Sequence, residues 1–409
     1  MTNEEYISKH RDEDVRSLAL KKVPEGVDAH WCLQQIEGWQ LARKKLPQWA
    51  EREGVWFPPR LSMEQCSSEA TAQYKGKVLD RLLTCTQGDA RLVDLTGGFG
   101  IDFSYLAQAF GHATYVEQHA HLCDIARHNM PLLGLGHAQV VCASAEEVLA
   151  SCPQSGMGNQ ATTIYLDPAR RDDAGRKVAA LEDCTPNVLQ LQDELLSKAS
   201  LVMVKLSPML DITQAVRQLK EVIEVHVISL KGECKEVLVL MAPSREGATD
   251  HYNTREGIVY HCVNLNTPDE PFVCTKEQSV QTSLAGDQLV PGALLFEPNA
   301  SILKAGVQDQ LCQRYDIRKL HPMSNLFMGR QAIASFPGRQ FVVEAVGDFS
   351  KAGIKHILEG VRQANLTIRN FPTTVAELRK RLKVKEGGDV YLFATTLSDG
   401  SHALLRCRK

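Results

Sequence analysis

The spacing of apolar residues separates a helical first part of the chain from a strand-rich remainder. Between Asp28 and Leu46 the apolar residues recur at intervals of three and four, which predicts an amphipathic helix that Pro47 ends. A second helix-compatible run extends from Glu69 to Leu83, and Ser68 is placed to cap it. We therefore expect residues 1–85 to form a helical N-terminal region.

From Asp89 onward, short β-rich runs alternate with helical patterns. The predicted strands are Arg91–Leu95, Ala113–Glu117, Ala138–Cys142, Thr162–Leu166 and Leu201–Leu206, with helices at Phe103–Phe110, Leu122–Leu132, Glu146–Ala150 and Val188–Lys198. This alternation is typical of a parallel sheet with helices on both faces. Two more predicted strands, Glu224–Leu230 and Glu236–Met241, are separated by five residues. That connection is too short for a parallel crossover and predicts an antiparallel hairpin.

A second, smaller α/β unit is predicted towards the end of the chain. After a further strand at Val259–Val263, it comprises strands Gln340–Val346, Gln363–Ile368 and Val390–Thr396 and helices Ala300–Tyr315, Ser350–Glu359 and Val375–Leu382. The fold class is therefore α/β, a Rossmann-like sheet preceded by helices and followed by a smaller α/β domain.

Composition adds that the chain is globular and expected to be cytoplasmic. Of its 409 residues, 44% are hydrophobic and 23% charged, and charges interrupt every apolar run before it could span a membrane. The charged first residues lack the apolar core of a signal peptide. Twelve cysteines are scattered without a CxxC pair, which favours reduced thiols, and Cys32, Cys85 and Cys142 are expected to be buried.

Charge is distributed unevenly along the chain. Residues 351–409 contain 12 Lys and Arg against 5 Asp and Glu, so the first 350 residues carry a charge of −10 within the total of −3. Such asymmetry suits an anionic partner, although a solvated basic helix face would give the same pattern.

The stretch with the most chemical information follows the first strand of the sheet. It reads Asp94-Leu95-Thr96-Gly97-Gly98-Phe99-Gly100-Ile101-Asp102. An acid ends the strand, and the glycines let the backbone approach a ligand before the next helix begins. The spacing matches neither the dinucleotide fingerprint nor a phosphate-binding P-loop. It predicts a nucleotide-type crevice lined by Asp94, Thr96, Gly97, Gly98, Gly100 and Asp102.

Acids also end the second and fourth strands. Glu117 lies 23 positions after Asp94, where a carboxylate suits two ribose hydroxyls. Ser144 and Ala145 follow the third strand and would border a base. Asp167-Pro168 ends the fourth strand and places a carboxylate beside a rigid backbone at the edge where ligands bind.

These four elements resemble the class I S-adenosylmethionine-dependent methyltransferases over residues 86–245, as does the final antiparallel hairpin. The resemblance implies S-adenosylmethionine as cofactor, with Asp94, Thr96, Gly98 and Gly100 lining its methionine part. It also implies that Glu117 holds the ribose and that Asp167 faces the transferred methyl group. Thr96 departs from the family by standing where a glycine is usual, a variant seen in several nucleic-acid methyltransferases.

The residues expected on the substrate side depart from known patterns. Ala169-Arg170 follows Asp167-Pro168 where amino-group methyltransferases have proline and an aromatic residue. Lys205-Leu206-Ser207-Pro208 after the fifth strand lacks the nucleophilic cysteine that covalent pyrimidine methylation requires. Arg170 and Lys205 therefore suggest a grip on phosphate. The alternative is that Lys205 forms a structural ion pair with Asp167. We expect the catalytic set to be Asp167, Pro168, Arg170 and Lys205, without a metal.

A polar segment before the sheet has two interpretations. Residues 65–75 are dense in hydrogen-bonding side chains, which would suit a cover over the cofactor. A helix cap followed by a polar face would look the same.

The C-terminal part contains further recognisable motifs. Glu297-Pro298-Asn299 and His321-Pro322-x-Ser324-Asn325 resemble a bacterial methyltransferase family with a ferredoxin-like segment and a THUMP-like terminal domain. THUMP domains bind RNA, so the resemblance implies an RNA partner. Phe327, Arg369 and Phe371 are candidates for base stacking and phosphate contacts. We expect a methyltransferase domain at 86–280, the ferredoxin-like segment at 281–324 and the THUMP-like domain at 325–409.

The function expected from these features is methyl transfer from S-adenosylmethionine to RNA in the cytoplasm. Two alternatives remain, an RNA-binding protein whose methyltransferase fold has lost catalysis and a small-molecule methyltransferase. The three acids Asp94, Glu117 and Asp167 argue against the first, and the basic tail argues against the second.

Overall fold

The computed structural model describes residues 1–83, 90–153, 161–169, 180–243, 257–276, 284 and 289–409. The chain forms two compact units. The first comprises Met1–Glu224 with Val237–Glu256, and the second comprises Val225–Glu236 with Gly257–Lys409.

Helices precede the first strand, as the apolar spacing predicts. They are α1 (Asn3–His10), α2 (Val15–Leu18), α3 (Ala29–Lys45), α4 (Pro47–Ala50), α5 (Arg60–Gln65) and α6 (Glu69–Leu83). Asp28 caps α3 by accepting a hydrogen bond from Trp31 N at 3.0 Å. Ser68 caps α6 by accepting one from Thr71 N at 3.3 Å. Both caps satisfy backbone donors that the first turn of a helix leaves without partners.

Apolar side chains of these helices pack against the turn that follows the first strand. Trp49, only 2% exposed, meets Phe99 with ring centroids 4.9 Å apart, and Phe57 belongs to the same cluster. Because Phe99 is part of the glycine turn, this packing anchors the turn to the N-terminal helices.

The first unit contains most of an α/β sheet. Its strands are β1 (Arg91–Asp94), β2 (His112–Glu117), β3 (Ala138–Cys142), β4 (Thr162–Leu166), β5 (Leu201–Leu206), β6 (Val222–Leu230) and β7 (Glu233–Met241), the last two being shared with the second unit. Its helices are α7 (Ile101–Leu106), α8 (Ala120–Leu132), α9 (Ala145–Ser151), α10 (Val188–Lys198) and α11 (Ile212–Gln218).

The strand order places the ends of β1 and β4 side by side. In the first unit the order is β3-β2-β1-β4-β5-β7, in which the first five strands are parallel and β7 pairs antiparallel with β5. The order reverses at β1, so the loops after β1 and β4 leave the sheet next to each other. A crevice at such a reversal is where ligands bind in open α/β sheets.

The hairpin between β6 and β7 is tighter than the sequence pattern predicts. The connection consists of Lys231 and Gly232, both with positive φ (55° and 78°), rather than five residues. Two residues with positive φ match the twist of paired strands, and hydrogen bonding therefore continues closer to the turn.

The second unit holds the remaining strands and helices. They are β8 (Val259–Leu265), β9 (Phe272–Thr275), β10 (Leu294–Pro298), α12 (Ala300–Ala305), α13 (Gln310–Tyr315), β11 (Arg318–Lys319), β12 (Phe327–Gly329), β13 (Gly338–Gly347), α14 (Lys351–Ile357), β14 (Asn365–Arg369), α15 (Val375–Leu382), β15 (Val390–Thr396) and β16 (His402–Arg408). β8 and β9 continue the order β7-β6-β8-β9, and the others form a sheet of order β11-β12-β10-β13-β16-β15-β14.

Alternate residues of the central strands of this C-terminal sheet fill two different cores. Phe393 and Leu405 belong to one cluster, whereas Leu392 and Leu404 belong to the other, which also contains residues of α14 and α15. This is the two-residue period of side chains across a strand. The sheet is therefore apolar on both faces.

Three expectations from the sequence are wrong in detail. Phe327 is fully buried, because β12 lies inside the sheet between β11 and β10, and it cannot stack on a base. Cys142 is exposed, since β3 is the edge strand of its sheet. The predicted helix Ala300–Tyr315 is broken after α12 by Gly306, whose φ of 68° ends it. Cys85 lies outside the described residues.

Among the described helices, none combines the length and the apolar character that crossing a membrane requires.

Candidate active site

The carboxylate at the end of β1 is turned back onto its own loop. Asp94 is 1% exposed, and its Oδ1 accepts a hydrogen bond from Thr96 N at 2.9 Å. Burial raises the pKa of Asp94 well above its ordinary value, and the nearby carboxyl groups of Asp102, Asp167 and Glu117 raise it further. Asp94 therefore stabilises the turn and contributes to a concentration of acidic groups.

The glycines after β1 are required for different physical reasons. A Cβ at Gly97 would lie 2.2 Å from the ring of Tyr115, so only glycine fits beneath that ring. Gly98 and Gly100 have φ of 54° and 85°, which glycine adopts without strain. At Gly98 a Cβ would meet only Thr96 O, at 3.8 Å, so the backbone there borders open space.

Glu117 at the end of β2 connects the second strand to the glycine turn. Its Oε2 accepts a hydrogen bond from Gly98 N at 3.0 Å, and its Oε1 accepts one from His119 N at 2.9 Å. The His119 ring also contacts Oε1, through Nδ1 at 2.5 Å. These bonds fix the carboxylate beside the turn, where it can still accept hydrogen bonds through its remaining lone pairs.

Asp167 is held next to the glycine turn by a direct link between two loops. Its backbone N–H donates to Thr96 Oγ1 at 2.6 Å, so the side chain that replaces the usual glycine joins the β1 loop to the end of β4. The Asp167 side chain is 35% exposed and forms an ion pair with Lys205 of β5. The structure therefore contains the Lys205–Asp167 ion pair that the alternative requires.

A buried ion-pair network lies behind this edge. Asp102, on α7, forms an ion pair with the fully buried Lys75 of α6 at 3.0 Å, and Lys205 Nζ lies 4.0 Å from its other oxygen. Asp102 Oδ2 also accepts hydrogen bonds from Ser67 Oγ at 2.7 Å and Tyr165 Oη at 2.6 Å. Asp102, predicted to line the crevice, therefore contacts α6 and Lys205, and through Lys205 it is one step from Asp167.

Burial and ion pairing oppose each other at Asp102. Burial alone would raise its pKa, but Lys75 and Lys205, assisted by the hydroxyls of Tyr165 and Ser67, outweigh burial, and the pKa of Asp102 is lowered. With Asp167 included, two lysines face two carboxylates, so the network is close to neutral in charge. Buried charges are tolerated when they are paired in this way.

The other predicted site residues occupy simpler positions. Ser144 caps α9 in a capping box with Glu147, and Ala145 is buried in its first turn. Pro168 is buried, and the next residue, Ala169, pairs with Thr185 in an isolated antiparallel bridge. Arg170 lies outside the described residues.

The sequence analysis picked out the polar segment that contains Lys75 and Ser67, but it did not predict that both residues contact Asp102. Lys75 lies on the buried face of α6 with Ala72 and Leu79, three residues before and four after it. A lysine in that row of apolar positions is the signal that could have revealed a buried cation. Tyr115 and Tyr165 were missed because each sits inside an apolar strand, where a tyrosine looks like a core residue.

The parallel strands, the reversed β7 and the acids at the ends of β1, β2 and β4 define a class I methyltransferase fold. Family models match the C-terminal part as a ferredoxin-like domain at residues 294–337 and a THUMP domain-like region at residues 338–409. No curated protein matches the chain.

Solved structures give matches over different lengths. A crystal structure described as a "putative methyltransferase" from Porphyromonas gingivalis W83 is 33% identical, covers 100% of this chain and 97% of its own, and superposes with a TM-score of 0.83. A SAM-dependent methyltransferase from Agrobacterium tumefaciens matches 44% of this chain and 63% of its own, at 18% identity and a TM-score of 0.33.

The full-length match shows the family. The protein belongs to the family of class I methyltransferases that carry a ferredoxin-like segment and a THUMP-like C-terminal domain.

We predict that Lys75→Met destabilises the protein by about 3–5 kcal/mol, because it leaves Asp102 buried without its nearest cation. Urea denaturation followed by circular dichroism measures this change. The control is Lys77→Met, an exposed lysine on the same helix, which should change stability by about 0.5 kcal/mol or less. Equal effects of the two substitutions would show that the buried ion pair does not stabilise the fold.

A second prediction concerns Asp94 and pH. Because burial raises the pKa of Asp94, ionising this group lowers the free energy of unfolding. The contribution of the protonated group to stability is complete below about pH 4 and is lost as pH rises through the folded-state pKa. Asp94→Asn removes the ionisation, so the variant should become progressively more stable relative to wild type as pH rises from 4 to 8. Urea denaturation across this range tests it, with the exposed Asp80→Asn as control. A pH-independent difference between Asp94→Asn and wild type would contradict the prediction.

Proposed function

We propose that this protein transfers a methyl group from S-adenosylmethionine to RNA in the cytoplasm. The observation that carries the proposal is the convergence of Glu117, the glycine turn and Asp167 at one edge of the sheet, joined by the bonds Gly98 N to Glu117 and Asp167 N to Thr96. The glycine turn, Glu117 and Asp167 thus lie together where the strand order reverses, which is where open α/β sheets bind ligands.

The residues present fit the cofactor. The open space next to Gly98 is a cradle that a larger residue would fill, and the Glu117 carboxylate beside it suits two neighbouring ribose hydroxyls. We assign Glu117 to the ribose of the cofactor. The methionine part would lie against Thr96, Gly97, Gly98 and Gly100, and the base against Ser144 and Ala145.

When bound, S-adenosylmethionine would supply a methyl group on a sulfonium, whose sulfur is a good leaving group as a neutral thioether and needs no acid catalysis. The protein therefore has to position the acceptor atom rather than protonate a leaving group. Asp167, partly exposed at the end of β4, accepts a hydrogen bond from the acceptor and orients its lone pair. Lys205, held between Asp167 and Asp102, fixes the direction of the Asp167 carboxylate, so we treat it as a positioning residue. We assign Arg170 to binding a phosphate of the substrate.

Two observations support RNA as the acceptor. The THUMP domain-like match covers residues 338–409, which include the whole basic segment 351–409. Exposed arginines and aromatic rings occur together in that region.

We predict that Glu117→Gln weakens binding of S-adenosylhomocysteine at least about tenfold, because a hydrogen bond to a charged group contributes about 1.5–3 kcal/mol. Isothermal titration calorimetry on the full chain measures the affinity. Asp124→Gln, an exposed acid on α8, is the control and should bind as wild type does. Unchanged affinity in Glu117→Gln would reject the ribose assignment, and no binding by wild type would reject the methyltransferase proposal.

Deleting the gene should remove one methylated nucleoside from cellular RNA, as measured by mass spectrometry of digested RNA. Wild type and the control Asp193→Asn, an exposed acid on α10, should restore it, whereas Asp167→Asn should not, because the acceptor loses its orienting carboxylate. Restoration by Asp167→Asn would overturn the role of Asp167. Cofactor binding with unchanged RNA nucleosides would favour a small-molecule acceptor, and RNA binding without cofactor binding would favour an inactive methyltransferase fold.

A further inference from the structure

Three motifs that the proposed methyl transfer does not use meet at one end of the C-terminal sheet. They are the segments 297–299, 321–325 and 369–372. Arg369 Nη2 donates to Glu297 Oε1 at 2.7 Å, and Asn370 Nδ2 lies 3.0 Å from His321 Nδ1. Residues far apart in sequence therefore form one polar cluster where β14 ends.

Aromatic rings continue the cluster along the surface. Phe371 stacks on Phe349 with centroids 4.6 Å apart and meets the exposed His402 edge-on at 4.9 Å. The guanidinium of the exposed Arg381 lies over the Phe349 ring at 5.3 Å. Phe349 and Phe371 are each only partly buried. The surface thus alternates cations with ring systems that solvent reaches.

The backbone at this point is held in an uncommon conformation. Asn370 has φ of 50°, in the left-handed region that few non-glycine residues adopt. Its carbonyl accepts hydrogen bonds from Thr396 N at 3.1 Å and Thr396 Oγ1 at 2.6 Å. These bonds hold the turn, which sets the positions of Arg369 and Phe371 on either side of it.

Charge at the cluster favours an anion. Glu297 is 3% exposed and is spanned by Arg339 and Arg369, whose side chains remain 45% and 36% exposed. One buried carboxylate therefore orients two arginines and leaves an excess positive charge. Asp348, Glu377 and Asp399 remain ionised, since hydrogen bonds from serine or threonine residues of their own turns lower their pKa values, so the arginines offer local positive charge to a phosphate rather than a positive surface.

We propose that this surface, the Arg369 face (His321, Phe349, Arg369, Phe371, Arg381 and His402), binds single-stranded RNA. Its rings stack with bases, and its arginines pair with phosphates. The inference rests on the proposed function and adds where the RNA is held. Single strands suit it because only unpaired bases expose their faces to protein rings.

A second cationic region lies at the opposite end of β14 and is the natural comparison. It is a cavity of about 600 Å³ whose lining includes Arg362, Lys385 and Arg408. The lining also contains Asp389 but no aromatic residue. It can attract phosphate but offers bases nothing to stack on, so we assign the RNA to the Arg369 face.

Fluorescence anisotropy on the full chain tests this, with a labelled 20-nucleotide random-sequence single-stranded RNA and a 20-base-pair RNA duplex as probes. Phe371→Leu, which keeps an apolar side chain, and His402→Ala should each weaken single-strand binding about tenfold. Arg381→Gln should make the dependence of log Kd on log salt shallower by about 0.7. The paired control Arg362→Gln with Lys385→Gln should change affinity less than twofold. Thermal unfolding followed by circular dichroism verifies that each variant is folded.

The outcomes separate this inference from the proposed function. Unchanged binding in Phe371→Leu, His402→Ala and Arg381→Gln, or a larger loss in the control pair, overturns the Arg369 face while RNA remains the partner. Tighter binding of the duplex than of the single strand overturns the stacking argument. If wild type binds S-adenosylhomocysteine but neither RNA, both the face and the RNA acceptor are rejected, and the methyltransferase assignment stands.

Discussion

The arrangement of the candidate site depends on one buried carboxylate, that of Asp102. It brings together Lys75 of α6, Tyr165 of β4 and Lys205 of β5, each by an ion pair or a hydrogen bond. A carboxylate in an apolar interior is costly unless its partners surround it, so the helices and strands that supply those partners are held in register. The position of Lys205, and with it the direction of Asp167, follows from this requirement.

A buried carboxylate also organises cations in the second unit, but there the charges do not balance. Around Asp102, two lysines balance two carboxylates, and only the Asp167 end of this network is partly exposed. Around Glu297 the carboxylate is buried, but its two arginines reach the surface. A balanced network positions groups within a fold, whereas an unbalanced one presents charge to a partner.

How much could be predicted from the sequence depended on whether the signal was local. β3, β4, β5 and β15 begin and end where predicted, because each is a short apolar or β-branched run between turn residues. β16 was missed, since charged residues at its end obscure the apolar alternation even though it lies inside the sheet. The acids at the strand ends could be predicted, because the alternation of strands and helices places them at the ligand-binding edge. The burial of Lys75 could not, because its partner Asp102 is distant in sequence and only packing brings the two together.

The glycine turn, finally, has consequences for how this sequence can diverge. Gly97 is fixed by the ring of Tyr115, so any change there requires a compensating change on β2. Gly98 is constrained by its backbone angle and by the open space beside it, which a larger residue would take from the proposed cofactor. The two adjacent positions should therefore vary for different reasons, the first together with residue 115 and the second only as far as the ligand leaves room.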